Sequence, residues 1–170
     1  MSWGDDGGRS IFRERRAAAR HHAPELGLEA RMATGEKVLI IDDDPDFRDS
    51  VESLLKAEGY RVLQASSGRQ GLKRLAEDGP DVIILDIMME SIVEGYAVNQ
   101  AIKFSPEYEA FAEIPIIMVS SIEETPDERF PRASELDLVR PNRYLTKPLD
   151  IPLFLEVVAK AAGRGTAATP

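Results

Sequence analysis

The sequence predicts an α/β fold in which a five-stranded parallel sheet is covered by helices on both faces. Strand-like and helix-like patterns alternate five times along the chain, with short connections between them. The run VIILD at 82–86 is unbroken and β-branched, as is typical of a strand covered on both faces. Right-handed crossovers between parallel strands then place helices on both sides of the sheet.

The first half of the pattern has clear start and stop signals. Strands are predicted over 37–41, 60–65 and 82–86. Asp44 is expected to cap the first helix ahead of Pro45, and Gly59 to be its C-cap. The second helix lies within 66–80, with Leu72 and Leu75 facing inward. The apolar face predicted for the first helix consists of Phe47, Val51, Leu54 and Leu55.

The second half is less regular. A third helix is predicted over about 96–104, followed by an irregular or partly helical connection. Strands are predicted over 116–119 and 143–146. Between them, 122–142 contains three prolines, which makes a long helix unexpected and the fourth helix region irregular. Asp150 is expected to cap the last helix, whose predicted inward face consists of Leu153, Phe154, Val157 and Val158.

Composition sets the domain organisation. The chain has 170 residues, of which 43% are hydrophobic and 30% charged, which fits one globular domain with additional tails. We expect a mobile N-terminal extension over 1–35, a folded domain over 36–162 and a disordered tail over 163–170. There is no cysteine, which excludes disulfides and thiolate metal sites. No apolar run approaches the roughly 20 residues that span a bilayer, and no secretion signal is present, so we expect a cytoplasmic protein without membrane insertion.

Polar residues follow the predicted strands at one edge of the sheet. Asp42, Asp43 and Asp44 follow the first strand, Asp86 ends the third, Ser120 the fourth and Lys147 the fifth. Ligands of open α/β sheets bind at this edge. Clustered carboxylates repel one another, and Mg²⁺ with its preference for oxygen ligands relieves this repulsion. A hydroxyl and an ammonium beside such a cluster suit phosphoryl transfer, with a carboxylate as the nucleophile.

Each of these residues alone has a simpler interpretation. Asp44 suits a helix cap, Ser120 a turn and Lys147 a solvated surface charge. The coincidence of these residue types at four strand ends is what favours a site.

The segments VLIIDDDPDF, VIILDIMM, PIIMVSS and YLTKP, in this order, resemble the receiver domain of two-component response regulators. The resemblance covers about 36–162 and implies a flavodoxin-like sheet with the strand order 2-1-3-4-5. It implies that Asp86 accepts a phosphoryl group from a histidine kinase or phosphotransfer protein. The protein would then be a signalling switch rather than a turnover enzyme, with an unknown protein as its downstream partner.

The resemblance also assigns the other site residues. Mg²⁺ would be held by Asp42, Asp43, Asp86 and the backbone carbonyl of Met88. Ser120 would be the switch hydroxyl, and the ring of Tyr144 would follow it. Lys147 would contact a phosphate oxygen and would precede a cis bond to Pro148.

The chain also departs from the family pattern. Glu90 replaces the usual proline, the loop before Gly95 is longer by about one residue, and 122–142 lacks the pattern of the usual fourth helix. Met88 lies two residues after Asp86, and Ile122 lies two residues after Ser120. In the family, these two positions influence how water reaches the acyl phosphate. Both are apolar here, which predicts a long-lived phosphorylated state.

Two alternatives remain open at this point. An apolar strand followed by Asp42 and Asp44 in a D-x-D pattern is also the signature of haloacid-dehalogenase-type phosphatases. A receiver fold could alternatively act as a binding module that is never phosphorylated. Because no DNA-binding or catalytic domain is seen after the last helix, and because the net charge is −9, we expect a stand-alone protein with protein partners and no nucleic acid partner.

Overall fold

The computed structural model describes residues 35–89, 94–121 and 143–164. Within them the strands are β1 (Lys37–Ile41), β2 (Arg61–Ala65), β3 (Val82–Asp86), β4 (Ile116–Ser120) and β5 (Arg143–Thr146). The helices are α1 (Pro45–Ala57), α2 (Gly68–Asp78), α3 (Glu94–Phe104) and α4 (Ile151–Ala161), with a 3-10 helix over Pro106–Phe111.

All five strands are parallel, in the order β2-β1-β3-β4-β5. The predicted fold class and strand order are therefore confirmed. The order reverses between β1 and β3, and their carboxyl ends lie side by side, with Ile41 opposite Leu85. On the other side of β3, Asp86 lies opposite Val119. The carboxyl ends of β1, β3 and β4 therefore form one continuous edge.

Alternate residues of the strands face two separate apolar cores. One core joins the sheet to Leu75 of α2 and to Val98 and Ile102 of α3. The other joins the opposite face to α1 and α4, through Leu55 and Phe154 among others. Every position of β3 is buried, which agrees with its apolar sequence and its place as a central strand.

Local side-chain caps set where the helices begin. The Asp44 carboxylate accepts hydrogen bonds from the backbone N–H groups of Asp46 and Phe47, with Pro45 at the first position of α1. This confirms the predicted cap. Gly59 is not the C-cap itself: that position is Glu58, and Gly59 follows it at a φ of 82°. Such a left-handed residue directly after the cap is a common place for glycine.

Two other predicted details are wrong. The third helix begins at Glu94, two residues earlier than predicted. Leu153 was predicted to face inward but is 47% exposed, whereas Phe154 and Val158 are fully buried. The buried pair is spaced by four residues, and successive helical residues differ by about 100° in direction, so Leu153 points away from that stripe.

Several predictions lie wholly or mostly outside the described residues. These are the N-terminal extension predicted over 1–35, of which 1–34 are not described, the irregular region over 122–142, and the tail predicted over 163–170, of which 165–170 are not described. Glu90 and Ile122 also lie outside the described residues. Among the described residues, no helix is long and apolar enough to cross a membrane.

The tail predicted to be disordered from residue 163 begins with a residue pair that the structure describes. The Arg164 guanidinium donates to the Glu36 carboxylate at 2.6 and 2.9 Å and to the carbonyl of Glu58 at 2.7 Å. It also lies over the Tyr60 ring, 3.7 Å from the ring centroid. The ordered part of the domain therefore includes Arg164, because this side chain is held by residues from the first part of the domain.

We expect Arg164→Ala to lower the free energy of unfolding by about 1–2 kcal/mol, because it removes an ion pair, a carbonyl hydrogen bond and a cation–π contact. Urea denaturation followed by circular dichroism would measure this. Lys160→Ala, at an exposed position in the last turn of α4, is the control. Equal stabilities of Arg164→Ala and wild type would show that these contacts contribute nothing.

Candidate functional site

The polar residues predicted to meet do lie at the carboxyl edge of the sheet. Asp42 and Asp43 follow β1, Asp86 ends β3, Ser120 ends β4 and Lys147 follows β5. Asp42, Asp86 and Ser120 are buried, with 1%, 5% and 1% of their surfaces exposed, whereas Asp43 is exposed. The site is therefore a cluster of mostly buried polar side chains, of which Asp43 is exposed to solvent.

Three carboxylates lie close together in this site. One oxygen each from Asp42, Asp43 and Asp86 lies within 4.8 Å of the other two. Three negative charges at this spacing repel one another, and the repulsion is strong where water is excluded. The cluster therefore requires positive charge nearby.

Lys147 supplies one such charge. Its ammonium nitrogen lies 2.8 Å from Asp42 Oδ2 and 3.0 Å from Asp86 Oδ2. Its backbone N–H donates to the carbonyl of Ser120 at 2.7 Å, and its bond to Pro148 is cis, as predicted. Lys147 therefore joins the ends of β1 and β3 through its side chain and contacts the end of β4 through its backbone.

These surroundings change the pKa values of the two central groups. Burial, reinforced by the charge of Asp42, raises the pKa of Asp86, although the Met88 N–H and Lys147 act in the opposite direction. For Lys147, burial by itself lowers the pKa, but the hydrogen bond to Asp42 and the charges of both aspartates outweigh it and raise the pKa. Lys147 is therefore a firmly protonated cation beside a carboxylate whose ionisation is opposed.

The backbone around Asp86 is closely packed. The Met88 N–H donates to Asp86 Oδ1 at 2.9 Å, which orients the carboxylate. The Gly95 N–H donates to the carbonyl of Ile87 at 3.2 Å. A Cβ atom at Gly95 would collide with the backbone of Asp86 and Ile87. Glycine at this position therefore lets the first turn of α3 lie directly against the chain that carries Asp86.

Asp44 has a structural role. Its Oδ1 accepts the N–H groups of Asp46 and Phe47 at 2.9 and 3.3 Å, and its own N–H donates to Asp42 Oδ1 at 2.9 Å. The Asp44 carboxylate is thus used as a helix cap. This is the simpler of its two interpretations, and it weakens the D-x-D interpretation of a phosphatase.

Tyr144 lies within the sheet. It is a half-buried residue inside β5, in register with Met118, and it packs against the core on the α2 and α3 side of the sheet. Ser120 lies in register with Thr146, one residue before Lys147. The switch roles predicted for Ser120 and Tyr144 stay predictions.

Sequence reasoning missed one contact of the site. The Lys147 ammonium lies 4.0 Å from the centroid of the Phe47 ring. Phe47 was interpreted only as part of the apolar face of α1. The available signal was its place in the first turn of the helix that starts beside Asp42 and Asp43, since that turn borders the carboxyl edge of β1.

A parallel, doubly wound sheet whose third strand ends in a buried aspartate, beside an acidic pair and a lysine, is the architecture of a receiver domain. Residues 38–159 match the family model described as the response regulator receiver domain. The chain belongs to this family, as the resemblance in its sequence predicted.

Similar proteins are covered by this chain to different extents. The probable transcriptional regulator ycf27 of Guillardia theta is 36% identical over 139 residues, which are 82% of this chain and 50% of the relative. Protein PilG of Pseudomonas aeruginosa is 36% identical over 118 residues, 69% of this chain and 81% of that protein. The solved structure of chemotaxis protein CheY4 of Vibrio cholerae has a TM-score of 0.62 and 28% identity, covering 75% of this chain and 98% of that one. The chain thus spans about half the length of the ycf27 relative.

We expect Asp86→Asn to stabilise the metal-free protein at pH 7 by about 1 kcal/mol, because it removes one of three crowded carboxylates and leaves Lys147 paired with Asp42. The pKa of Asp86 is raised above its ordinary value of 3.8 in the folded state. Its ionisation therefore lowers stability as the pH rises from that value through the folded pKa.

Thermal unfolding in the presence of a chelator, at pH 7 and at pH 3.5, measures this effect. The difference between Asp86→Asn and wild type should be present at pH 7 and should shrink at pH 3.5. Asp43→Asn, at the exposed member of the cluster, should change the Tm less. A lower Tm for Asp86→Asn at pH 7 would contradict the interpretation.

Proposed function

We propose that this receiver domain accepts a phosphoryl group on Asp86 from a histidine kinase or phosphotransfer protein, and that phosphorylation changes its contacts with another protein. The observation that carries this proposal is the ammonium of Lys147, which lies within 3.0 Å of Asp86 Oδ2. A carboxylate nucleophile beside a fixed cation is suited to accept a phosphoryl group, whose oxygens need neutralisation.

In the proposed step, a carboxylate oxygen of Asp86 forms a bond to phosphorus while the bond from phosphorus to the donor breaks. For a phosphohistidine donor, the leaving group is the imidazole nitrogen of the donor. Lys147 is already protonated and close enough to contact an oxygen of the incoming group. The product is an acyl phosphate, and we propose that Ser120 and Tyr144 respond to it. The chain would act as a switch rather than as a turnover enzyme.

The residues at the site also suit Mg²⁺. They offer carboxylate oxygens from Asp42, Asp43 and Asp86 within 4.8 Å of one another, and Asp43 opens the cluster to solvent. Oxygen ligands with room for retained waters are what this ion prefers. We propose that these residues and the carbonyl of Met88 hold it, where it would neutralise charge on the phosphoryl oxygens. The chain's own contribution is to keep the three carboxylates together before the ion arrives.

The downstream partner is proposed from charge. A net charge of −9 favours a protein partner over a direct contact with nucleic acid. We therefore propose that this domain signals by protein contacts. A binding module that is never phosphorylated is less consistent with this site, because a pure scaffold has no need for three crowded carboxylates.

Incubation with acetyl phosphate and Mg²⁺ should add one phosphoryl group to the wild type and none to Asp86→Asn, because the amide is not a nucleophile for this reaction. Intact-mass spectrometry measures the product. A gain in mass that survives Asp86→Asn would overturn the assignment of the acceptor.

Asp44→Asn is the matched control, since asparagine is an equally good helix cap. It should be phosphorylated as the wild type is. Loss of phosphorylation in Asp44→Asn, with the fold intact, would instead support the D-x-D phosphatase.

The phosphorylated state should be long-lived because Met88 and Ile122 are apolar. Replacing both residues by polar ones should speed hydrolysis of the acyl phosphate, since water would be oriented more easily beside Asp86. The rate of loss of the phosphoryl group, followed by mass after removal of acetyl phosphate, measures this. An unchanged rate in the double variant would count against the hypothesis.

A further inference from the structure

We infer that Phe47 is a positioning residue for Lys147, and that its ring directs the ammonium group towards Asp86 during phosphoryl transfer. This inference rests on the proposed function. Phe47 belongs neither to the cluster of carboxylates nor to the strand ends. The inference follows from the contact between its ring and the ammonium of Lys147.

The ammonium of Lys147 has three contacts among the described residues. Two are carboxylate oxygens, at 2.8 Å for Asp42 and 3.0 Å for Asp86. The third is the face of the Phe47 ring, whose centroid lies 4.0 Å away. The face of an aromatic ring carries negative partial charge and attracts a cation at distances within about 6 Å. The ring thus adds a third attractive contact to the two that the carboxylates make.

The ring is held in place from two directions. The N–H of Phe47 donates to Asp44 Oδ1 at 3.3 Å, so the cap of α1 sets the backbone of this residue. The side chain packs against the apolar core formed by the sheet with α1 and α4. The residues of the DDDPDF segment therefore have three different roles. Asp42 and Asp43 belong to the cluster of three carboxylates, Asp44 caps α1, and the ring of Phe47 contacts the ammonium of Lys147.

A fixed ring matters because a lysine side chain is long and flexible. Its ammonium is a strongly hydrated point charge on a stem with four rotatable bonds. Lys147 keeps 18% of its side-chain surface exposed, so water competes for the ammonium. The ring covers part of the ammonium without accepting a conventional hydrogen bond. It thereby confines the charge to the side where Asp86 lies and where the phosphoryl oxygens would be.

A role in core packing alone is the competing explanation, because Phe47 is half-buried. The two roles separate when the ring is replaced by an aliphatic side chain of similar bulk. Phe47→Leu keeps the apolar contact and loses the ring face, whereas Phe47→Tyr keeps both. Phe104→Leu is the matched control, because Phe104 is 50% exposed at the far end of α3.

The first measurement is the initial rate of phosphorylation by acetyl phosphate in saturating Mg²⁺. We expect Phe47→Leu to react about fivefold more slowly than wild type, in keeping with a partly exposed cation–π contact. Phe47→Tyr and Phe104→Leu should stay within about twofold. In a Lys147→Ala background, Phe47→Leu should cause no further loss, because a positioning residue acts only through its target.

The second measurement is the proton NMR spectrum of the Lys147 side chain. Protons above a ring face are shifted upfield, so the CεH₂ signal of Lys147 should be upfield in wild type and Phe47→Tyr and should move to its ordinary position in Phe47→Leu. This signature needs no phosphorylation. If Phe47 only filled space in the core, Phe47→Leu would lower the Tm but would not change the CεH₂ signal of Lys147 in this way.

The outcomes are distinguishable. If wild type is not phosphorylated at all, the proposed function fails, and the NMR spectrum alone decides whether Phe47 positions Lys147. If wild type is phosphorylated and Phe47→Leu reacts at the same rate, the inference is overturned while the proposed function stands. A further loss from Phe47→Leu in the Lys147→Ala background would also overturn it.

Discussion

The contact of the Lys147 ammonium with Asp42 and Asp86 is the interaction on which this site depends. It joins residues more than sixty positions apart in the chain, at 2.8 and 3.0 Å. Without this cation, the carboxylates that follow β1 and β3 would repel one another in a site that excludes most water. With it, the carboxylates of Asp42 and Asp86 are held close together by one shared cation.

The fold places this contact through its parallel sheet. The strand order brings β1, β3 and β4 side by side, so their carboxyl ends meet at one edge. The backbone then refines the arrangement. The Lys147 N–H donates a hydrogen bond to the carbonyl of Ser120. The absence of a side chain at Gly95 allows α3 to lie against the backbone of Asp86 and Ile87. A rigid apolar sheet therefore supports a site whose polar groups are individually unfavourable to bury.

The same site contains a carboxylate that is costly to ionise and a cation that offsets part of this cost. Burial raises the pKa of Asp86, which makes its charge unfavourable in the folded protein. Lys147, and in our inference the ring of Phe47, act against that cost by bringing positive charge close to the carboxylate. In the function proposed above, the phosphoryl group would change the local charge at a carboxylate that is already costly to ionise and already paired with Lys147.

The sequence by itself determined the fold class, the strands and the candidate residues at their ends. Unbroken apolar runs, Asp44 and Pro45 at a helix start, and a Lys-Pro pair after the last strand are local signals, so they can be identified without coordinates. The family resemblance supplied the strand order. The exposure of Leu153 could not be determined in this way, because it depends on how α4 is rotated against the sheet.

The contacts of Arg164 and Phe47 were decided only by the tertiary structure. Arg164 was assigned to a disordered tail, yet it binds Glu36 at the start of the domain and lies over Tyr60, just before β2. Phe47 fitted a simple apolar stripe, yet its ring meets Lys147, one hundred residues away. Sequence periodicity reports which side of an element is apolar. It does not report which distant cation lies over a ring, because that depends on the packing of several elements at once.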